Sequence, residues 1–152
     1  MTRTAAREIA ILLGFSAAAS GESAEETLER FFEDEHYATM AEENPLFAEK
    51  PDARQMDYIR TLVGLTAEHR AELDAYIEKY ARGWSVGRID RTAGALLRCA
   101  MSEILWLPDV PNAAAINEAV ELAKKYESAD AVSFINGILG SFIRGEIEHK
   151  EA

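Results

Sequence analysis

The chain has 152 residues, 48% of them hydrophobic, a formal net charge of −11 and a single cysteine. That is enough length and apolar material for one domain with its own core. It excludes an intrachain disulfide, no stretch reaches the ~18 apolar residues of a membrane span, and the charge argues against a protein that holds nucleic acid by bulk electrostatics, which requires Lys and Arg on phosphates.

Helical periodicity runs the length of the chain, and no convincing period-2 strand interrupts it. The first predicted helix spans about Thr2 to Ala19 and stops at Ser20-Gly21, a C-terminal glycine signal. The same stretch, "MTRTAAREIAILLGFSAAASG", has the outline of a signal peptide, but Glu8 interrupts the charged region and the apolar run is barely long enough. A second helix starts at Ser23, with Glu26 completing a capping box, and turns Leu28, Phe31 and Phe32 inward. Residues 22–49 hold ten acids against Arg30 alone, so this region supplies −9 of the −11 and leaves the remainder close to neutral.

Pro45 and Pro51 punctuate the loop "EENPLFAEKPDA". Beyond it, Met56, Ile59, Leu62 and Val63, then Leu73, Tyr76, Ile77 and Tyr80, mark two helical stretches with a break expected at Gly64 to Thr66. "RGWSVGRID" reads as an irregular junction. Ile89 to Leu107 is the most apolar segment and is predicted to be the central helix, ended by Pro108 and Pro111. Cys99 falls in its apolar run and belongs to the core. Asn112 is the expected cap of the next helix. A last helix covers about Ala129 to Arg144, followed by a frayed tail, "GEIEHKEA". In that helix Ser133, Gly137, Gly140 and Ser141 are small, which predicts close packing against the central or the first helix. The fold class is therefore all-α, with six or seven helices.

Few residues suggest chemistry. Two Glu-x-x-His spacings, Glu33 to His36 and Glu146 to His149, match the ligand pattern of di-iron carboxylate bundles, but one lies in an acid run and the other at the chain's end, and no metal or cofactor is expected. No glycine-rich phosphate loop or catalytic triad spacing occurs. Arg3, Arg7, Ile11 and Phe15 are each four apart and form a stripe on which arginines could meet phosphates and a ring a base. On the residues alone the competing account, Phe15 in the core and Arg7 paired with an acid, is the stronger. Tyr126, Asp130 and Phe134 are also four apart, across the turn "YESAD", where a helix starting at Ser128 would open its N-terminus to a phosphate. There too, aromatic residues at a helix junction are more often core.

The segment "DVPNAAAINEAVELAKKYESADAVSFINGILG", Asp109 to Gly140, resembles the C-terminal signature of the NusB family of transcription antitermination factors. "AAREIAILLGF" is similar to that family's first helix and "RIDRTAGALLRCAMSEIL" to its central helix, so the resemblance covers nearly the whole chain. It implies an all-helical single domain of two small subdomains, here about 1–81 and 82–152, in a cytoplasmic protein without catalysis. It also implies binding of boxA RNA together with NusE, a basic small-subunit ribosomal protein, in a complex that makes RNA polymerase resist termination, notably on ribosomal RNA operons. The family's RNA side falls on Arg3, Arg7, Phe15, Tyr80, Tyr126, Asp130 and Phe134, and its NusE side on Arg98, Met101, Ser102 and Glu103. Thr4 and Ala5 stand where many members carry further arginines, Phe15 where Tyr is common, and Ala93 where an acid is frequent. Asn117, Glu118 and Asn136 belong to the family pattern, and the two asparagines are expected to hydrogen-bond backbone groups at the helix junctions. The alternative reading is a module that binds NusE with little RNA binding of its own.

Overall fold

The structure, a computed structural model, describes residues 1–81 and 89–148. The expected junction from Arg82 to Arg88, and His149, lie outside the described residues. Within them the chain forms eight α-helices and no strand: α1 (Arg3–Ser20), α2 (Ala24–Phe31), α3 (Asp34–Glu43), α4 (Ala53–Glu68), α5 (Arg70–Tyr80), α6 (Arg91–Trp106), α7 (Asn112–Tyr126) and α8 (Ala129–Phe142). A 3-10 turn, Pro45–Phe47, precedes α4 and a π-helical turn, Ile143–Glu148, follows α8. The all-α class is as expected, with one helix more than the sequence suggests. The chain divides into two compact units, Met1–Glu68 and His69–Ala152, which puts α5 with the later helices.

In the first unit, the Thr2 hydroxyl accepts the Ala5 N–H at 3.0 Å and starts α1, and Gly21 ends it in the left-handed region at φ 77°. The glycine has a reason: L side chains resist that conformation. Helix α1 packs along α4, and the buried Ile9, Ile11 and Leu13 of one and Ile59, Leu62 and Val63 of the other supply the apolar surface. Helix α4 runs through Gly64 without the expected break and stops only at His69. The extra helix arises at Phe32 and Glu33, where the Glu33 carboxylate accepts the N–H groups of Glu35 and His36 at 3.1 and 2.9 Å and begins α3. Beneath the acids, Phe31, Phe32, Tyr37 and Phe47 form a ring cluster with centroids 4.9–6.1 Å apart. Such edge and offset contacts add to the burial of the rings themselves, so the acidic segment folds on its aromatic residues.

In the second unit α6 is the core helix, as its sequence predicts. Leu96, Leu97, Cys99, Ala100, Met101 and Ile104 are all buried, and α5, α7 and α8 pack on it. The Asp90 carboxylate caps it by accepting the Ala93 N–H at 2.8 Å. Arg98 ties it to α5 through Asp74, with Nε to Oδ1 at 2.7 Å. Asn112 is the first residue of α7 rather than its cap; the cap position is Pro111, which has no side chain to offer. The small residues of α8 do not form the close-packed stripe expected of them: Ser133 and Gly137 are exposed, open space lies beyond Gly137, and Gly140 is covered by the guanidinium of Arg144 from its own chain segment. Helix α8 instead buries Ile135, Ile138, Leu139 and Phe142.

Candidate nucleic-acid interface

The arginine stripe of α1 is not an open surface. Arg3 is exposed, but its guanidinium carbon sits 4.1 Å from the centre of the Tyr58 ring, and that of Arg7 sits 5.8 Å from the same ring. Arg7 is only 4% exposed. In the free chain Arg7 is therefore enclosed in the packing of α1 on α4. Arg3 keeps both exposure and the geometry of a surface cation–π pair. Phe15, on the same stripe, is half-buried. Tyr58 is the residue the sequence pattern misses here, because it stands beside the apolar positions of α4 and its use becomes visible only with α1 in place.

The second cluster is more open. Tyr126, at the end of α7, is the one large hydrophobic side chain among the described residues that counts as exposed, at 36%. The ammonium of Lys125 lies 5.5 Å from its ring centre. Ser128 caps α8 by accepting the Ala131 N–H at 3.2 Å, Asp130 is exposed in the first turn, and Phe134 is half-buried one turn on. The cap confirms where α8 begins. Tyr80 belongs elsewhere: it ends α5 and packs its ring 6.2 Å from that of Phe142, at the far end of α8. Twelve residues of helix separate Asp130 from Phe142, about 18 Å at 1.5 Å per residue. The Tyr80 hydroxyl is also engaged, donating to Glu146 Oε1 at 2.7 Å. Tyr126, Asp130 and Phe134 are thus together, and Tyr80 is apart from them. Asn117 and Asn136 are exposed.

Glu127 adds an acid pair beside Tyr126. Its carboxyl is hydrogen-bonded to Asp90 and to the Ala93 N–H, at the N-terminus of α6, and its Oε1 is buried with no partner among the described residues. Burial, and then the neighbouring Asp90 carboxylate, push the Glu127 carboxyl up to about 7 from its ordinary 4.5. Protonated Glu127 can donate to Asp90; ionised, it repels it. The pair holds the end of α7 to the start of α6.

On α6 the expected partner-side residues divide. Met101, Ser102 and Glu103 are buried, with the Ser102 hydroxyl donating to the Arg98 carbonyl at 2.8 Å. Arg98 keeps 17% side-chain exposure beside Asp74. Of the Glu-x-x-His pairs, Glu33 spends its carboxylate on capping α3. Among the described residues no three His, Cys, Asp or Glu side chains gather as a metal site, and no helix is long and apolar enough to cross a membrane.

The family model described as NusB family matches residues 4–144. The chain belongs to the NusB family. It is 38% identical over 146 residues to the transcription antitermination protein NusB of Symbiobacterium thermophilum, covering 95% of this chain and 91% of that one. It is 36% identical over 141 residues to the NusB protein of Natranaerobius thermophilus, covering 91% and 92%. The solved structure of T. maritima NusB superposes with a TM-score of 0.78 at 24% identity, over 100% of this chain and 99% of that one, which establishes the shared fold.

Two outcomes are expected. Arg7→Ala removes a desolvated cation–π contact worth on the order of 2 kcal/mol, whereas Arg3→Ala removes an exposed one worth ~0.5–1 kcal/mol, so the melting temperature falls by several degrees for the first and scarcely for the second. Equal losses would contradict the burial of Arg7. For Glu127, the folded chain keeps a proton between about pH 4.5 and 7 that the unfolded chain has lost. Stability from this group therefore declines as pH rises through that window and is gone above it. Glu127→Gln keeps a neutral hydrogen-bonding group, so its melting temperature should gain on wild type between pH 5 and pH 8. A difference that stays constant with pH would remove the shared proton.

Proposed function

We propose that this NusB-family chain is a non-catalytic, cytoplasmic transcription antitermination factor that binds boxA RNA together with NusE and helps RNA polymerase resist termination, notably on ribosomal RNA operons. The observation that carries the RNA part is the pairing of exposed Tyr126 with Lys125 at the end of α7: an open ring for a base and a cation for its phosphate. Asp130 and Phe134 extend this surface and Tyr80 marks its other end; Arg3 and Phe15 of α1 are the candidate RNA contacts of the first unit. On the protein side Arg98 is the contact; Met101, Ser102 and Glu103 shape α6 behind it. The relatives named transcription antitermination protein support the same reading. A net charge of −11 leaves the chain a poor RNA binder by itself, and a basic partner such as NusE supplies the missing positive charge.

The burial of Arg7 favours one competing account, a module that binds NusE and contributes little to RNA contact. Both are tested by measuring RNA affinity with and without NusE. Alone, the chain should bind boxA RNA with a Kd on the order of 10⁻⁴–10⁻⁶ M at physiological salt, and NusE should tighten this at least about tenfold. Tyr126→Ala should then weaken the complex by ~1–3 kcal/mol with little change in salt dependence, and Arg3→Ala should lower the slope of log K against log salt by about 0.7. If NusE binds while RNA affinity ignores Tyr126, Arg3 and NusE alike, the interaction-module account replaces this one.

A further inference from the structure

The π-helical turn after α8, whose sequence reads as a frayed tail, is fastened to the end of α5. Glu146 Oε1 receives both the Lys79 ammonium at 2.6 Å and the Tyr80 hydroxyl at 2.7 Å. Two donors on adjacent residues converge on one anionic oxygen, and the Lys79 ammonium also lies 5.3 Å from the Tyr80 ring centre. The approach is possible because residue 145 is glycine: a Cβ there would run into the Tyr80 hydroxyl and ring. A wide π turn in place of further α-helix brings the Glu146 carboxylate round to this position.

The seat is nevertheless open on one side. The Lys79 side chain is 61% exposed while that of Glu146 is 10% exposed, so an incoming anion meets the ammonium directly. An ion pair whose ammonium faces solvent is screened on that side, and a phosphate oxygen offers the same donors an acceptor of equal charge. The hydrogen bond from Lys79 to Glu146 holds the ammonium above the usual lysine range.

We propose that Lys79 and Tyr80 form a phosphate seat that Glu146 occupies in the free chain, so that the C-terminal turn is a displaceable latch which a backbone phosphate of the bound RNA must lift. This rests on the RNA-binding reading above and adds to it a residue, Lys79, and an internal competitor. RNA that stacks on Tyr126 and extends along α8 then gains its second anchor only by breaking the Glu146 contact.

The test compares Glu146→Gln, Gly145→Ala and a charge control, Glu148→Gln, for boxA RNA affinity in the presence of NusE. Glu148 is exposed two residues further on, so it reports what losing one negative charge does anywhere on this turn. Glu146→Gln removes the competing charge, and Gly145→Ala prises the turn off with the charge retained. Each should tighten RNA binding at least about threefold, Glu148→Gln should not, and the gain from Glu146→Gln should vanish when Lys79→Gln is added. Melting curves confirm that all variants are folded at the assay temperature. Unchanged or weaker binding by both latch variants, or an equal gain from Glu148→Gln, overturns the latch. Should no form bind boxA RNA, the functional reading fails instead, and inorganic phosphate becomes the probe. NMR signals of Lys79 and Tyr80 should then shift saturably at lower phosphate concentration in Glu146→Gln than in wild type, and equal titrations overturn the seat.

Discussion

The burial of helix α6 is the constraint that the second unit is built around. From Ala93 to Ile104 every residue but Arg98 is buried, and α5, α7 and α8 pack on it. Met101, Ser102 and Glu103, which the family resemblance maps to a partner surface, lie within that buried run, and the candidate RNA side chains stand at helix ends: Tyr126 and Asp130 where α7 turns into α8, Tyr80 and Lys79 where α5 stops. Two devices close those ends. Glu127 meets Asp90 at the start of α6, and Glu146 meets Lys79 and Tyr80 at the end of α5.

Charge sets the second limit. Many of the chain's cations are already committed within it: Arg30 to Glu22, Lys50 to Asp34, Arg98 to Asp74, Lys79 to Glu146, and Arg7 against Tyr58. A protein of net charge −11 that spends its cations this way cannot depend on counterion release for affinity. RNA recognition, on the account proposed here, rests on aromatic stacking at few positions, on a basic partner, and on exchanging an internal carboxylate for a phosphate.

Local signals in the sequence were sufficient for most of the fold. The stop at Gly21, the starts at Ser23 and Ser128 and the apolar run of α6 are written in neighbouring residues, and each appears where expected. The break before α3 was hidden because a glutamate performs the capping, a role usually signalled by Ser, Thr, Asp or Asn. Gly64 misled in the opposite direction, since packing of α4 against α1 outweighs the weak helix preference of one glycine. The site was legible only in part. Tyr126, Asp130 and Phe134 share a spacing, and the family pattern marks them. Tyr58 and Glu146 carry no such signal: their partners are 55 and 66 residues away in sequence, at Arg3 and Tyr80. The same long-range packing that hides them in the sequence also buries Arg7.

Photo-crosslinking of boxA RNA carrying 4-thiouridine to the complex with NusE, followed by mass spectrometry, tests the central claim most directly. The account predicts crosslinks on Tyr126 and on neighbouring residues of the α7–α8 turn, with further ones at the Tyr80 end of α8 and none on the acidic residues 22–49. Crosslinks confined to NusE, or absent from the α7–α8 turn while the complex is intact, would contradict it.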